Sequence, residues 1–192
     1  MDMPPDSTAT KARLLEAAFG EFAQYGLAGA RIDRIAQNAE ANKRLIYVYY
    51  GNKDQLFDAV LAQRLGVLAD AVPFTADDLP AYAGALFDHL LDQPALLRLA
   101  TWRQLERPGT SSAEADAYRP KVEAVADAQR RGTVTADMEP ADLLALVLSQ
   151  ITAWFAASSA LRALAHDDAF APARLERHRT ALTTAVRSLT RP

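Results

Sequence analysis

The chain has 192 residues, half of them hydrophobic and 23% charged, with a net charge of −3. This composition is ample for a packed core, and the absence of cysteine excludes disulfides, thiol catalysis and cysteine-ligated metals. No apolar run approaches the length of a membrane span and the first residues lack the features of a signal peptide, so a cytoplasmic protein without membrane contact is expected.

Helical periodicity dominates the chain and predicts an all-α fold. Residues 1–7 are expected to fray. Apolar residues at spacings of three and four then predict a first helix that ends at Gly26. A short second helix is predicted from Arg31 to about Asn38, and a turn at residues 39–41 follows it.

The most distinctive stretch is a third helix predicted from Lys43 to Tyr50, where cations, aromatic residues and helix caps lie close together. Asn42 is a suitable N-cap, and Gly51 is a suitable end. Ile46 and Tyr50 are four residues apart and are expected to face a core. The other face presents ammonium, guanidinium and phenol groups from Lys43, Arg44 and Tyr47.

A fourth helix is predicted from Lys53 to about Val72. Asn52 caps it, with Gln55 in the reciprocal capping-box position. The free N–H groups of this helix N-terminus, with the Lys53 ammonium beside them, favour phosphate.

The run from Asn42 to Leu56, preceded by Ile35 and Ala36, resembles the helix-turn-helix of TetR-type (tetracycline-repressor-like) bacterial transcriptional regulators. The resemblance spans roughly residues 10–61, and the length and helical remainder of the chain are similar to that family too. It implies a three-helix DNA-binding domain at residues 8–52 and a larger helical effector-binding and dimerisation domain at residues 53–192.

The resemblance also implies which side chains contact DNA. Lys43, Arg44 and Tyr47 are expected at base edges or nearby backbone in the major groove, where arginine and lysine donate to guanine. The residues expected near phosphates are Arg31 at the N-terminus of the second helix, Leu45, Tyr49 and Lys53. For the tyrosines, core packing with a hydrated hydroxyl is the alternative; it is favoured for Tyr50 and left open for Tyr47.

The predicted turn departs from the family pattern. In that family the turn usually reads Gly-Val-Ser, whereas in this chain it reads Glu40-Ala41-Asn42. A left-handed Glu40 in place of glycine would be strained by about 1–2 kcal/mol.

Charge is distributed unevenly along the chain. Between Thr10 and Lys53, seven lysines and arginines face four carboxylates, a net charge of +3 that leaves −6 for the remainder. This division fits a protein that presents one end to DNA. Scattered surface charge produces the same division by chance, so it supports the motif without standing alone.

Five further helices are predicted from proline and glycine punctuation. They run from Pro80 to about Asp92, from Ala95 to Glu106, from about Glu114 to Arg131, from Pro140 to about Ala165, and from Pro172 to about Leu189. Pro120 is expected in or near the first turns of the third of these, and residues 107–112 form the clearest loop.

The last two predicted helices carry apolar stripes that predict a four-helix interface between two subunits. The stripe residues are Leu144, Leu148, Ile151 and Phe155 on one helix and Leu175, Leu182 and Val186 on the other. Packing of both stripes inside one subunit is the alternative. The homodimer is favoured because paired helix-turn-helix motifs about 34–36 Å apart read a palindrome.

A largely apolar small-molecule effector is expected in a pocket between residues 80 and 165. The candidate lining residues combine aromatic walls with polar anchors: Phe87, Trp102, Arg103, Tyr118, Gln150, Trp154 and Phe155. Core or dimer packing is the alternative for Phe87, Trp154 and Phe155, and a surface pair with Glu106 is the alternative for Arg103.

No cofactor, metal site or catalytic constellation is predicted. In His166-Asp167-Asp168 and Asp88-His89 the carboxylates are sequence neighbours of the imidazoles, and adjacent residues on a helix point in different directions. The pattern favours a ligand-responsive transcriptional repressor that binds a palindromic double-stranded DNA operator as a homodimer. The alternatives are a helical scaffold whose basic helix binds an acidic protein, and an enzyme.

Overall fold

The computed structural model describes residues 7–165 and 168–192. Most of the segment that was expected to fray, and His166 with Asp167, lie outside the described residues. Over the described ranges the chain is all-α, as predicted. The helices are α1 (Ser7–Gly29), α2 (Ile32–Asn38), α3 (Lys43–Tyr50), α4 (Lys53–Ala71), α5 (Leu79–Asp92), α6 (Pro94–Glu106), α7 (Ser112–Arg130), α8 (Pro140–Ala156), α9 (Ser159–Ala163) and α10 (Pro172–Thr190).

These helices form two compact units. The first unit comprises the described residues up to Leu68 together with Gln93–Ala115, and the second unit comprises Ala69–Asp92 and Asp116–Pro192. Most of α4 and all of α6 therefore pack with α1, α2 and α3, whereas the predicted division at residue 52 assigned them to the second domain. As a functional division, that boundary stays a prediction.

Helix α1 forms the centre of the first unit and packs against α2 and α6. Its predicted apolar stripe is buried, with Leu14, Ala18 and Phe22 fully inaccessible to solvent. Phe22 meets Phe57 of α4 edge to face at 5.0 Å between ring centroids. Gly20, on the same helix, faces open space.

Gly26 interrupts α1 at the point where the sequence predicted its end, and the helix runs on to Gly29. The φ of Gly26, 69°, lies in the left-handed region, where glycine carries no steric penalty. A Cβ at this position would lie 2.8 Å from the Trp102 ring and 2.7 Å from the Glu106 carboxylate. Both the backbone conformation and the close approach of α6 therefore require glycine.

The turn between α2 and α3 is left-handed at Glu40, with a φ of 48°. We expect Glu40→Gly to raise the free energy of unfolding by about 1 kcal/mol, because glycine adopts this conformation without a Cβ clash. Chemical denaturation monitored by circular dichroism measures the change. Glu40→Ala is the matched control, since it removes the same carboxylate but keeps the Cβ. An equal gain in both variants would contradict backbone strain as the cause.

In the second unit, α5 packs against α8 and α10. Gly84 leaves room for the Arg179 guanidinium, which a Cβ would approach to 2.9 Å. Arg179 in turn pairs with Asp88 at 2.8 Å and ties α10 to α5. The buried residues of this unit include Leu79, Phe87, Val125, Leu143, Val147, Ile151, Leu182 and Val186.

The prediction of a single helix from Pro140 to about Ala165 is wrong, because α8 ends at Ala156 and a separate helix, α9, begins at Ser159. Ser158 adopts an extended conformation, and its hydroxyl accepts from the Leu161 N–H at 3.1 Å, as an N-cap does. Arg162 donates to the carbonyl oxygens of Trp154 and Phe155 at 3.2 and 3.0 Å, which satisfies the last turn of α8. Pro120 lies about two turns from the start of α7, near the first turns as predicted.

The apolar stripes of α8 and α10 mostly pack inside one chain. Leu144, Ile151, Leu182 and Val186 are at most 4% exposed, so they are core residues and have no surface to offer a second subunit. Leu148, Phe155 and Leu175 are half-buried. Within the described residues no helix is long and apolar enough to cross a membrane.

Candidate nucleic-acid interface

Helix α3 has the predicted bounds and caps. The Asn42 side chain accepts from the Arg44 N–H at 2.8 Å, and Gly51 ends the helix with a φ of 78°. Asn52 caps α4 by accepting from the Gln55 N–H at 2.8 Å. The reciprocal half of the predicted capping box is wrong, because the Asn52 N–H donates to the Tyr50 carbonyl and Gln55 lies against Gly51.

The two faces of α3 differ as predicted. Ile46 is completely buried in the core of the first unit. Arg44 is exposed, and Tyr47 and Val48 are 47% and 65% exposed. Val48 was missed because a valine among the apolar and aromatic residues of α3 is indistinguishable from a core residue. Its four-residue spacing from Arg44 was the available signal, and an exposed methyl group suits a thymine methyl.

The cations near this surface are not equally available. Lys43 forms an ion pair with Asp33 at 2.8 Å, and this hydrogen-bonded carboxylate raises the pKa of Lys43. The Lys43 ammonium likewise lowers the pKa of Asp33. Lys53 donates to the carbonyl oxygens of Ala28 and Ala30 at 3.4 and 3.2 Å, so it holds α4 to the end of α1. Among the described residues, the Arg44 guanidinium has no ion-pair partner.

Leu45, Tyr49 and Tyr50 are half-buried and pack against the core. The Tyr50 hydroxyl donates to the Lys11 carbonyl at 3.3 Å, and burial raises the pKa of Tyr50. The Lys11 ammonium lies 5.0 Å from the centroid of the Tyr49 ring. Core packing therefore accounts for Tyr50 as predicted, while the phosphate contacts of Leu45 and Tyr49 stay predictions.

A buried carboxylate positions α2. The Glu21 side chain is 2% exposed and accepts from the Arg31 N–H at 2.7 Å and from Arg34 at 2.6 and 2.8 Å. The first turn of α2 is thereby fixed to α1, while the Arg31 side chain stays exposed. Sequence reasoning missed Glu21, because a glutamate among apolar neighbours on α1 carries no local signal of its distant partners.

The predicted effector residues are divided between the two units. Trp102 lies against Gly26 in the first unit. Arg103 is also in the first unit; it is 6% exposed and pairs with Glu114 at 2.9 Å. The alternative for Arg103, a surface pair with Glu106, is therefore wrong, because Glu106 accepts from the N–H groups of Leu27 and Ala28. Tyr118 belongs to the second unit, and the centroid of its ring lies 5.8 Å from the Lys121 ammonium.

The remaining candidates lie in the second unit around His178, which the prediction did not include. The His178 ring lies 4.9 Å from Trp154 and 5.4 Å from Phe87, and Phe87 lies 5.4 Å from Phe155. Two buried polar atoms of this unit have no hydrogen-bond partner among the described residues: Gln150 Oε1, one turn before Trp154 on α8, and His178 Nε2. We call Phe87, Gln150, Trp154, Phe155 and His178 the aromatic cluster.

The aromatic cluster predicts a pH dependence of stability. Burial lowers the pKa of His178 below its usual 6.5, and the Arg174 guanidinium lowers it further. The unfolded chain therefore binds the proton more readily, so stability that is present above pH 6.5 is lost as the pH falls. We expect His178→Phe, which keeps a stacked ring, to reduce the fall in melting temperature between about pH 7.5 and about pH 5.5. An equal fall in melting temperature in the variant and in the parent chain would contradict this expectation.

Two family models match this chain, one in its amino-terminal part and one in its carboxy-terminal part. Residues 14–60 match the family model for bacterial regulatory proteins of the tetR family. Residues 78–188 match the model for the tetracyclin repressor-like C-terminal domain, which alone covers more than half of the chain. This chain belongs to the tetR family.

Individual tetR-family relatives agree with this assignment. The HTH-type transcriptional repressor SCO4008 of Streptomyces coelicolor is 47% identical over 149 residues, which cover 75% of this chain and 77% of that protein. The crystal structure of the putative transcriptional regulator SCO4942 of the same organism is 37% identical, covers 95% of this chain and 99% of that one, and superposes with a TM-score of 0.81. The transcriptional regulator FadR of Bacillus subtilis, solved in complex with stearoyl-CoA, is 16% identical, covers 90% of this chain and 97% of that one, and shares the fold with a TM-score of 0.62.

This tetR-family chain is therefore a DNA-binding transcriptional regulator, as the helix-turn-helix predicted, and not an enzyme. Its amino-terminal match begins at Leu14 in α1 and ends at Val60 in α4, so it contains the whole of α2 and α3. The match thus includes both helices of the predicted helix-turn-helix, and the scaffold and enzyme alternatives are set aside.

Proposed function

We propose that this regulator is a ligand-responsive repressor that binds a palindromic operator as a homodimer and acts in the cytoplasm. The observation that carries the proposal is the exposed face of α3, where Arg44, Tyr47 and Val48 are held by a capped helix whose opposite side is buried. A rigid helix with an unpaired guanidinium suits the major groove. SCO4008, the 47% identical relative, is described as a repressor, which supports the same direction of control.

Within this proposal, Arg44 donates to a guanine, and Tyr47 and Val48 contact neighbouring bases. Lys43 lies beside the base edges but is shared with Asp33 at 2.8 Å, so its contribution to DNA binding is reduced. The phosphate contacts are assigned to Arg31, Leu45, Tyr49 and Lys53. Lys53 acts there mainly by positioning the N-terminus of α4, because its ammonium already contacts two backbone carbonyls.

The proposed dimer uses the outer faces of α8 and α10 rather than their buried stripes. The exposed residues on these faces are small, which permits close approach of two helices. They are Ala145, Ser149, Ala153 and Ala156 on α8 and Ala181, Thr184, Ala185 and Ser188 on α10. The exposed Leu146 and the half-buried Leu148, Phe155 and Leu175 add apolar surface.

The proposed effector site is the aromatic cluster. Gln150 and His178 each bury a polar atom without a partner among the described residues, and leaving such atoms unpaired is costly. A largely apolar ligand with one or two polar groups would satisfy both atoms while it contacts the rings of Trp154 and Phe155. Such a ligand shifts DNA binding only by its differential affinity for two states of the protein.

Selection of binding sites from random duplex DNA, at two salt concentrations, tests the proposal. Recovery of a palindromic motif whose affinity falls steeply with salt is the expected result. Recovery of DNA without a shared motif at both salt concentrations would contradict operator binding.

Sedimentation of the parent chain and of Ala153→Glu tests the dimer. A carboxylate buried at the α8 face is expected to release monomers, and these monomers are expected to keep their helical circular dichroism.

A further inference from the structure

The first unit contains a polar cavity that is separate from both α3 and the aromatic cluster. Its volume is about 580 Å³, and its walls come from α4, the end of α6, the following loop and the first turn of α7. The lining residues are Asp58, Ala62, Arg103, Arg107 and residues 109–113. A cavity of this size accommodates a small molecule.

Arg107 supplies the cavity with hydrogen-bond donors. Among the described residues its contacts use Nη1, which donates to Asp58 Oδ1 at 2.6 Å and to the Asp54 carbonyl at 3.4 Å. A guanidinium carries five N–H groups, so those on Nε and Nη2 are left for a ligand. Two adjacent N–H groups of arginine match the two oxygens of a carboxylate or phosphate. Asp58 keeps its contact with Nη1, so the ligand takes the N–H groups on Nε and Nη2.

The first turn of α7 lines the cavity with further donors. The Ser111 carbonyl accepts from the Ala115 N–H at 2.9 Å, and its hydroxyl accepts from the Glu114 N–H at 3.4 Å. The N–H groups of Ser112 and Ala113 precede these and belong to the part of a helix that has no intrahelical acceptors. Together with the hydroxyl groups of this segment, they favour a negatively charged ligand.

Arg103 makes the walls of the cavity rigid. Its buried guanidinium donates to the Gly109 carbonyl and to Glu114 Oε2, the latter at 2.9 Å. The loop and the start of α7 are thereby fixed to α6 without a ligand. Because Arg103 is already paired on both sides, it acts as a positioning residue and Arg107 is the group free to bind.

We propose that this cavity binds a small oxyanion-bearing molecule, a carboxylate or a phosphate, through Arg107 and the first turn of α7. Binding places a second anion on the guanidinium that Asp58 already holds, which weakens the Arg107–Asp58 contact and so loosens the end of α6 from α4. The neighbouring residue Glu106 accepts from the N–H groups of Leu27 and Ala28 at 2.5 and 3.2 Å and holds the end of α1. Ligand binding at Arg107 is thus transmitted to the helices that carry the DNA-facing side chains, a link that rests on the proposed function.

Isothermal titration of the full chain with inorganic phosphate and with citrate tests the site directly. We expect saturable binding of at least one probe, weakened about tenfold or more in Arg107→Met, because the paired charge-assisted hydrogen bonds are lost. Arg98→Met removes the same charge from an exposed position of α6 and is expected to bind as the parent chain does. Should Arg107→Met not fold, Arg107→Lys replaces it, since lysine keeps the charge and lacks the planar fork. Absence of saturable binding to the parent chain, or equal binding by the Arg107 variant, would overturn the proposal.

The link to DNA is tested separately with the selected operator. A change in operator affinity at saturating probe in the parent chain and in Arg98→Met, absent in Arg107→Met, supports the link. An unchanged affinity at saturation refutes the link and leaves the binding site standing. Failure to select any operator refutes the proposed function instead, and the calorimetry still decides whether the site exists.

Discussion

Replacement of Arg44 by alanine is expected to relax the base preference of the regulator at one position in each half-site. Arg44 lies on the exposed face of α3, and no carboxylate among the described residues competes for its guanidinium. A bidentate contact from arginine to guanine is worth about 1–3 kcal/mol of discrimination against the wrong base. Binding measurements with operators substituted at each position identify the relaxed position.

Two further variants separate base reading from charge. Arg44→Lys keeps the charge but loses the planar fork, so it is expected to retain affinity for non-specific DNA while losing discrimination. Arg119→Ala removes an exposed arginine from α7 and is expected to leave operator binding unchanged. A uniform loss of affinity across all sequences in Arg44→Ala would identify Arg44 as a phosphate contact instead.

Replacement of Glu21 by alanine is expected to destabilise the first unit and weaken operator binding together. The carboxylate is buried, with 2% of the side chain exposed, and it accepts from the Arg31 N–H and from Arg34. A buried donor left without its acceptor typically costs about 1–3 kcal/mol. Because the lost hydrogen bonds fix the first turn of α2, we expect a lower melting temperature and weaker operator affinity even where the variant is folded.

Glu16→Ala is the matched control for this prediction. Glu16 lies on the same helix and pairs with Arg64, but its side chain is 68% exposed. Arg64 is only 15% exposed, but water screens the exposed Glu16 carboxylate, so the pair contributes about 1 kcal/mol or less and this variant should melt and bind DNA nearly as the parent chain does. Equal destabilisation in the two variants would show that the burial of Glu21 is not what makes it important. Glu21→Gln, which keeps an acceptor of the same shape, is expected to fall between them.

Local signals in the sequence were sufficient to predict the part of the fold around α3. Asn42, Gly51 and Asn52 act through hydrogen bonds and backbone angles within a few residues, so the bounds of α3 and the start of α4 agree with the structure. The left-handed conformation of Glu40 was likewise predictable, because it depends on the geometry of the turn.

Features that depend on distant partners were not predictable in the same way. An apolar stripe does not say whether its partner is the same chain or a second subunit, and Leu144 and Val186 proved to be buried within one chain. The break between α8 and α9 requires the Arg162 side chain to reach back to the end of α8, which helical periodicity does not encode. The division of the predicted effector residues between two units has the same origin, because Trp102 and Trp154 were grouped by residue type alone.

The open surface of α1 at Gly20 gives direct experimental access to the spacing of the DNA-binding surfaces. No atom lies within 4 Å of a Cβ placed there, and the chain has no cysteine of its own. Gly20→Cys therefore accepts a single nitroxide per protomer, with no competing thiol and no steric conflict. In the proposed homodimer, pulsed electron paramagnetic resonance between the two labels would measure the separation of the two α1 helices, and hence of the two first units, in the free protein, on DNA and with citrate or phosphate bound.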